Sequence, residues 1–292
     1  MSVIHRRSEG MHDYNLIRNF FEKEYRSYGT RFDHNLTIFE FQTALSRGLG
    51  EQKQELNEVL ENVHIWINGD RLVGLLEEGA FYAASDHRFL FEEMVEVAES
   101  YLPGMEWEVY EGDRDFEEVL LNKGFLKSEE YWIRRDFDLR KMVDQAELPK
   151  GYDIRSVPHL REQEEVFQAY KLCYGLLFNQ TMFDHFYETS TYRKELDLVV
   201  TGPEDQVVAL CSGRYDERNR LVTIEAVSCF HEYRGRGISK ALLRKSLLAA
   251  KGLGATQATV YTGMPEKFPA PNRLYESAGF KLVGKKYVWK KE

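Results

Sequence analysis

Apolar and polar positions change period abruptly once along this chain, and that change organises the rest. Residues 221–230 (LVTIEAVSCF) are β-branched and apolar, which predicts a largely buried strand. Directly after Glu232-Tyr233-Arg234-Gly235-Arg236-Gly237, the residues Ile238, Ala241, Leu242, Leu248 and Ala249 recur at helical spacing. Lys240, Arg244, Lys245 and Lys251 lie mostly off that face. A strand therefore passes through two glycines into a helix. Elsewhere the alternation predicts a hairpin over 64–74 with an Asn68-Gly69 turn, a second over 198–208, and strands over 256–261 and 287–289. A helix ends at Ala278-Gly279-Phe280.

The same order of elements reads twice. The hairpin 64–74 is answered by 198–208, Val109-Tyr110-Glu111-Gly112 by Val260-Tyr261-Thr262-Gly263, and residues 120–125 by 274–280. Tyr131-Trp132-Ile133 echoes the last strand. With Val109 aligned to Val260, residues 83–88 (AASDHR) fall opposite the glycine loop, without a glycine and with Asp86, which would repel an anion. The polar stretch 140–151 supplies the boundary, giving units 1–145 and 146–292.

A chain of 292 residues with 43% apolar residues is long enough for two cores. The net charge of -9 is unevenly spread: residues 1–145 hold 17 Lys and Arg against 30 Asp and Glu, and the remainder 22 against 18. A basic C-terminal half suits a polyanionic ligand, an acidic neighbour can steer a cation, and the total disfavours nucleic acid as a partner. Cys173, Cys211 and Cys229 have neither paired nor metal-ligand spacing, and His185 and His231 have no partner motif, so no metal site is expected. Without an apolar leader or membrane-length run, the expectation is a soluble, cytoplasmic protein that binds no membrane.

The glycines let a ligand approach the backbone, and the first turn of the following helix presents free N–H groups and the positive end of its dipole. That is a phosphate cradle. A Walker loop is absent, and a dinucleotide fingerprint fails because Lys240 stands where its third glycine belongs. Arg234-x-x-Gly237-x-Ser239, followed by Leu274-Tyr275-Glu276-x-x-Gly279-Phe280 after an intervening strand, resembles the GNAT superfamily of N-acetyltransferases from about residue 151 to 292. Ser239 replaces the usual Gly or Ala, and Phe268 and Pro271 replace the family's Asn and Ala before the tyrosine. The whole chain resembles a tandem-GNAT acetyltransferase whose N-terminal unit has lost its cofactor loop. The implied fold is α/β (α+β), with two mixed, mostly antiparallel sheets flanked by helices.

The resemblance implies acetyl-CoA as cosubstrate and direct attack by a primary amine of a small, cationic acceptor. It assigns the pyrophosphate to Arg234, Gly235, Arg236, Gly237, Ile238 and Ser239, further cofactor contacts to Val227 and Cys229, a polar contact with the pantetheine arm to Asn272, and proton donation to Tyr275. By the two-residue period of a strand, Glu225, Val227 and Cys229 share one face, which brings Glu225 to the thioester as a base. For Glu225 the competing reading is a strand carboxylate paired with a nearby cation, and for Tyr275 a core tyrosine. Cys229 reads as a packed strand residue rather than a nucleophile. Tyr170, Tyr174, Phe178, Phe183, His185 and Tyr187 either roof the acceptor side or form ordinary core. Rival functions are a non-catalytic CoA-binding module and a transferase of another acyl or aminoacyl group. A monomer that is an internal pseudo-dimer and a homodimer both fit.

Overall fold

A computed structural model describes residues 2–28, 35–49, 54–77, 80–144, 147–157 and 164–291. Among them the N-terminal half runs β1 (Ile4–Arg7), α1 (Tyr14–Tyr28), α2 (Leu36–Ser46), α3 (Leu56–Glu61), β2 (His64–Asn68), β3 (Arg71–Glu77), β4 (Ala80–Ala83), α4 (Phe91–Tyr101), β5 (Trp107–Tyr110), α5 (Arg114–Asn122) and β6 (Leu126–Asp138). The C-terminal half runs β7 (Asp153–Ser156), α6 (Glu164–Tyr174), α7 (Gln180–Phe186), β8 (Tyr192–Thr201), β9 (Val207–Asp216), β10 (Leu221–Cys229), α8 (Ile238–Gly252), β11 (Gln257–Gly263), α9 (Pro269–Ala278) and β12 (Lys281–Lys290). Apart from α3, the two orders are the same, so the repeat read from the sequence is a repeat of structure. The boundary between residues 145 and 146 lies outside the described residues.

The sheets do not follow the halves. β1 to β4 form one antiparallel sheet in chain order, while a second sheet runs β5-β12-β6-β11-β10-β9-β8-β7. β6, from the N-terminal half, is antiparallel to β11, with Val260 opposite Arg135. β12, from the C-terminal end, is antiparallel to β5, with Tyr287 opposite Val109. Each half gives its last strand to the other. The two donated strands also pair together, Tyr131 facing Tyr287 and Ile133 facing Lys285, so the segments that echo each other in sequence lie side by side. A period-two pattern cannot reveal this, because it marks which face of a strand is buried and not which neighbour completes the ladder.

Three apolar cores result. One fills the N-terminal half around Phe21, Trp66, Leu75, Met94 and Trp107. The eight-stranded sheet has the other two, with Leu242, Leu247 and Tyr275 from α8 and α9 on one face, and Tyr170, Phe183 and Phe186 from α6 and α7, joined by Phe41 from α2, on the opposite face. The buried stripe of α8 is Ile238, Ala241, Leu242, Leu243, Ser246, Leu247 and Ala250, whereas Leu248 and Ala249 flank it half-buried. Between β2 and β3, Asn68 pairs with Arg71, so the turn residues are Gly69 and Asp70 rather than Asn68 and Gly69. Gly69 has φ 62°, the left-handed conformation that favours glycine.

Candidate active site

Between β10 and β11 the parallel pairing covers only Leu221 to Thr223 against Gln257 to Thr259. Beyond Thr223 the two strands part, and the β10 backbone that follows has a ladder partner on the β9 side only. On that side the register slips between Ile224 and Ala226, which leaves Glu225 as the extra residue of a bulge. The bulge overturns the expectation that Glu225 shares a face with Val227 and Cys229. Val227 and Cys229 pack with the α8 and α9 core, while Ala226 belongs to the opposite core and Glu225 lines a cavity walled by α2. The three residues stand around the opening of the strands, on two sides of the sheet.

The glycine loop sits at the end of β10. Residues 231–233 make one 3₁₀ turn, Gly235 (φ 75°) and Gly237 (φ 80°) are left-handed, and α8 starts at Ile238 with no side chain capping it. A Cβ placed on either glycine would find no atom within 4 Å, so the loop faces open space. Its arginines brace it: the Arg234 Nε donates to the Cys229 carbonyl (3.0 Å), and Arg236 donates to the Tyr152 hydroxyl (2.9 Å) and the Glu232 carbonyl (3.0 Å). Ile238 is buried, so its backbone N–H and not its side chain is available to a ligand. An uncapped helix N-terminus behind exposed left-handed glycines, flanked by two exposed guanidinium groups, fits a pyrophosphate.

In the N-terminal half the matching turn is closed. Glu24, almost fully buried, accepts from the Ser85 backbone N–H (3.0 Å) with one carboxylate oxygen and from Arg71 (3.0 Å) with the other. Arg71 also holds Asp86 at 2.7 Å, which in turn contacts His87.

Glu225 is half-buried, and its Oε1 is sealed from solvent with no hydrogen-bond partner. Burial pushes its carboxyl up to about 7 against the pull of the buried Arg214 guanidinium. The competing reading, a carboxylate neutralised by a direct ion pair, is not what the structure contains among its described residues. Tyr275 is 6% exposed, packs edge-on against Phe280 at 5.6 Å, and has its pKa raised by burial and by the neighbouring Cys211, Cys173 and Glu225. Its phenol keeps its proton at any working pH. Cys229 is shifted upward by burial, with a hydrogen bond from Ser239 opposing, and a thiol of that kind is a poor nucleophile.

Asn272 does not face a ligand. Its Oδ1 accepts from Arg135 (2.6 Å) and Thr262 (3.1 Å), and its Nδ2 donates to the carbonyls of Gly263 (3.0 Å) and Phe268 (2.7 Å). Every site on the amide is used, so nothing remains for a pantetheine arm. Pro269 opens α9 at its first turn, where its missing N–H is not needed, and left-handed Gly279 (φ 101°) closes it. The aromatics of α6 and α7 are core: Tyr170, Phe178, Phe183 and His185 are buried. Tyr174 alone reaches the site, donating from its hydroxyl to the Glu225 carbonyl (3.3 Å).

Sequence reading missed the cavity on which Glu225 opens. Its volume is about 420 Å³, and it lies between the halves, lined by Phe41, Phe81, Trp107, Phe116, Trp132 and Tyr261 among others. These residues come from α2, β4, β5, α5, β6 and β11, which nothing in a linear pattern brings together. No helix among the described residues is long and apolar enough to cross a membrane, and no cluster of metal-ligating side chains occurs among them.

A mixed sheet whose central strands splay apart beside a helix that starts at a left-handed glycine frames the site. The comparisons agree on the family. Residues 163–280 match the Acetyltransferase (GNAT) family. An 81-residue stretch is 37% identical to an N-acetylaspartate synthetase of Xenopus tropicalis, covering 28% of this chain and 29% of that protein. A GCN5-related N-acetyltransferase from Sphaerobacter thermophilus superposes with a TM-score of 0.67 at 17% identity, over 99% of this chain and 95% of that one. A tandem GNAT protein from the clavulanic acid biosynthesis pathway gives 0.66 at 12% identity, over 100% and 98%. The match to the GNAT acetyltransferase family thus covers residues 163–280, less than half of the chain, and the chain as a whole has the fold of these GNAT structures, one of them a tandem GNAT.

Proposed function

We propose that the C-terminal half transfers an acetyl group from acetyl-CoA to the primary amine of a small, cationic acceptor. The observation that carries this is the pairing of an open phosphate cradle at the mouth of the β10 and β11 splay with an unpartnered, sealed carboxylate oxygen on the other side of the same opening. When bound, acetyl-CoA supplies an acetyl thioester, whose transfer to an ammonium substrate forms a C–N bond, breaks a C–S bond and releases CoA thiol and one proton. The backbone of residues 235–239 holds the pyrophosphate, and Val227 and Cys229 offer the unpaired edge of β10 to the pantetheine arm. Glu225 takes the proton of the ammonium, for which a carboxyl near 7 is suited at neutral pH. Tyr275 holds the proton that the departing sulfur needs, from the cofactor side of the sheet.

The N-terminal half, in this reading, is a GNAT-type unit without a cofactor site, its cradle filled by Glu24, with the boundary near residues 145 and 146. It walls the acceptor cavity. Three free cysteines fit a reduced, cytoplasmic setting.

The test is thiol release from acetyl-CoA with wild-type protein and with Glu225→Gln. The variant should lose about 100-fold in kcat/KM at neutral pH, the scale of a lost general base. It should also lose the rising limb of the pH profile centred near 7 that the wild type shows. An unchanged profile removes Glu225 from the chemistry.

A further inference from the structure

The cavity beside Glu225 limits what kind of amine can enter. Among the described residues that line it, three are charged: Glu225, Glu108 and Lys286. Glu108 and Lys286 are already an ion pair at 2.6 Å, reaching each other diagonally between β5 and β12. That leaves Glu225 as the one lining carboxylate among the described residues outside an ion pair. The remaining lining is aliphatic and aromatic apart from Gln42.

The aromatic wall is rigid before any ligand arrives. Phe81 packs edge-on against Trp107 at 4.5 Å and at a tilt against Phe116 at 4.2 Å, and Phe116 stacks on Phe91 at 4.8 Å. Phe81, Trp107 and Phe116 are core residues of the N-terminal half that also line the cavity. Trp132, on the donated strand β6, is 42% exposed and closes the opposite side. Such a surface gains from a flat apolar body and from a cation held over ring faces. The turn after α6, which starts next to the Tyr174 that bonds the Glu225 carbonyl, carries Leu176 and Leu177 in water at 91% and 76% exposure.

We infer that the acceptor is a monoamine with one ammonium head for Glu225 and an aryl or other flat apolar body for the wall of Phe81, Phe116 and Trp132. This rests on the acetyl-transfer reading above and narrows it. A polyamine would bring two or more ammonium groups to a cavity with one carboxylate to spare, leaving at least one desolvated and unpaired. An acidic amino acid would bring carboxylates to a lining whose one cation among the described residues, Lys286, is held by Glu108. The short stretch shared with an N-acetylaspartate synthetase covers only part of either protein, and the cavity argues for a different acceptor.

The experiment uses full-length protein with CoA present and measures 2-phenylethylamine, spermidine and aspartate, first by calorimetric binding and then by thiol release from acetyl-CoA. Expected is binding of 2-phenylethylamine at least tenfold tighter than of the other two, and the same order in kcat/KM. Trp132→Ala, a change at a half-exposed position, should weaken 2-phenylethylamine at least fivefold and leave the Kd for CoA within twofold. Tighter binding and faster turnover of spermidine or aspartate would overturn the acceptor assignment while leaving acetyl transfer in place. Unchanged 2-phenylethylamine binding in Trp132→Ala would do the same. Tight CoA binding with no turnover of any amine would overturn both.

Discussion

Glu225 is held in a state that folding does not favour. Its carboxyl is raised to about 7 from an ordinary 4.5, so the folded protein binds a proton more tightly there than the unfolded chain does. The stability linked to this group is present in full below pH 4.5 and is lost as pH rises through 7. Glu225→Gln should therefore be more stable than wild type at pH 8, by about 3 kcal/mol, and no more stable at pH 4. Chemical denaturation at the two pH values checks this. A variant that is less active and more stable, with the gain confined to high pH, would mark Glu225 as a site where stability is given up for chemistry. Tyr275→Phe is the complementary case. It removes a phenol that burial keeps protonated, so kcat should fall about 10- to 100-fold while CoA affinity and stability change little.

Helix α9, the second of the two family signatures, is anchored by a strand from the other half of the chain. Arg135 of β6, 3% exposed, reaches Asn272 and Thr262 with one nitrogen and Glu276 (2.7 Å) with another. Asn272→Ala would leave that buried guanidinium short of an acceptor, at a cost of about 2 to 3 kcal/mol. Thermal unfolding should show the loss, and CoA should bind the folded variant with unchanged Kd. The opposite pattern, normal stability with weakened CoA, would restore Asn272 to the ligand. At the loop itself, Gly237→Ala places a Cβ at φ 80° on the open face, which should cost about 1 kcal/mol in folding and at least tenfold in CoA affinity. What the sequence made legible at this scale was local. The two glycines, the apolar stripe of α8 and the Gly279 stop each follow from a conformational or packing need within a few residues. The bulge at Glu225 and the amide bonds of Asn272 were not legible, because each depends on a partner elsewhere in the chain: β9 in one case, β6 in the other.

For the whole molecule, the sequence repeat predicts two units, and the structure has strands exchanged between the two halves of the chain. Removing residues 1–145 would strip β6 from between β11 and β12, leaving β11 as an exposed edge and β12 without either neighbour. It would also unseal polar groups that the halves satisfy together. Glu40 of α2, 3% exposed, accepts from Ser190 (2.5 Å) and from the Thr191 backbone (2.9 Å). Thr37 meets Thr223 at 2.6 Å, beside the last paired residues of the splay, and Arg47 reaches Glu188 at 2.7 Å. An isolated fragment 146–292, although it contains the whole glycine loop and both signatures, should be insoluble or self-associated, because an apolar edge strand recruits another copy. Co-expression with residues 1–145 should restore a soluble complex that binds CoA, since the first fragment carries the missing strand. Size-exclusion chromatography and calorimetry on the fragment alone and on the pair distinguish these outcomes. A monomeric 146–292 that binds CoA like the full chain would show that the exchanged strand is dispensable. The cavity beside Glu225 would then have to be rebuilt without the β6 wall that Trp132 supplies, which makes amine selectivity the quantity to compare between fragment and full chain.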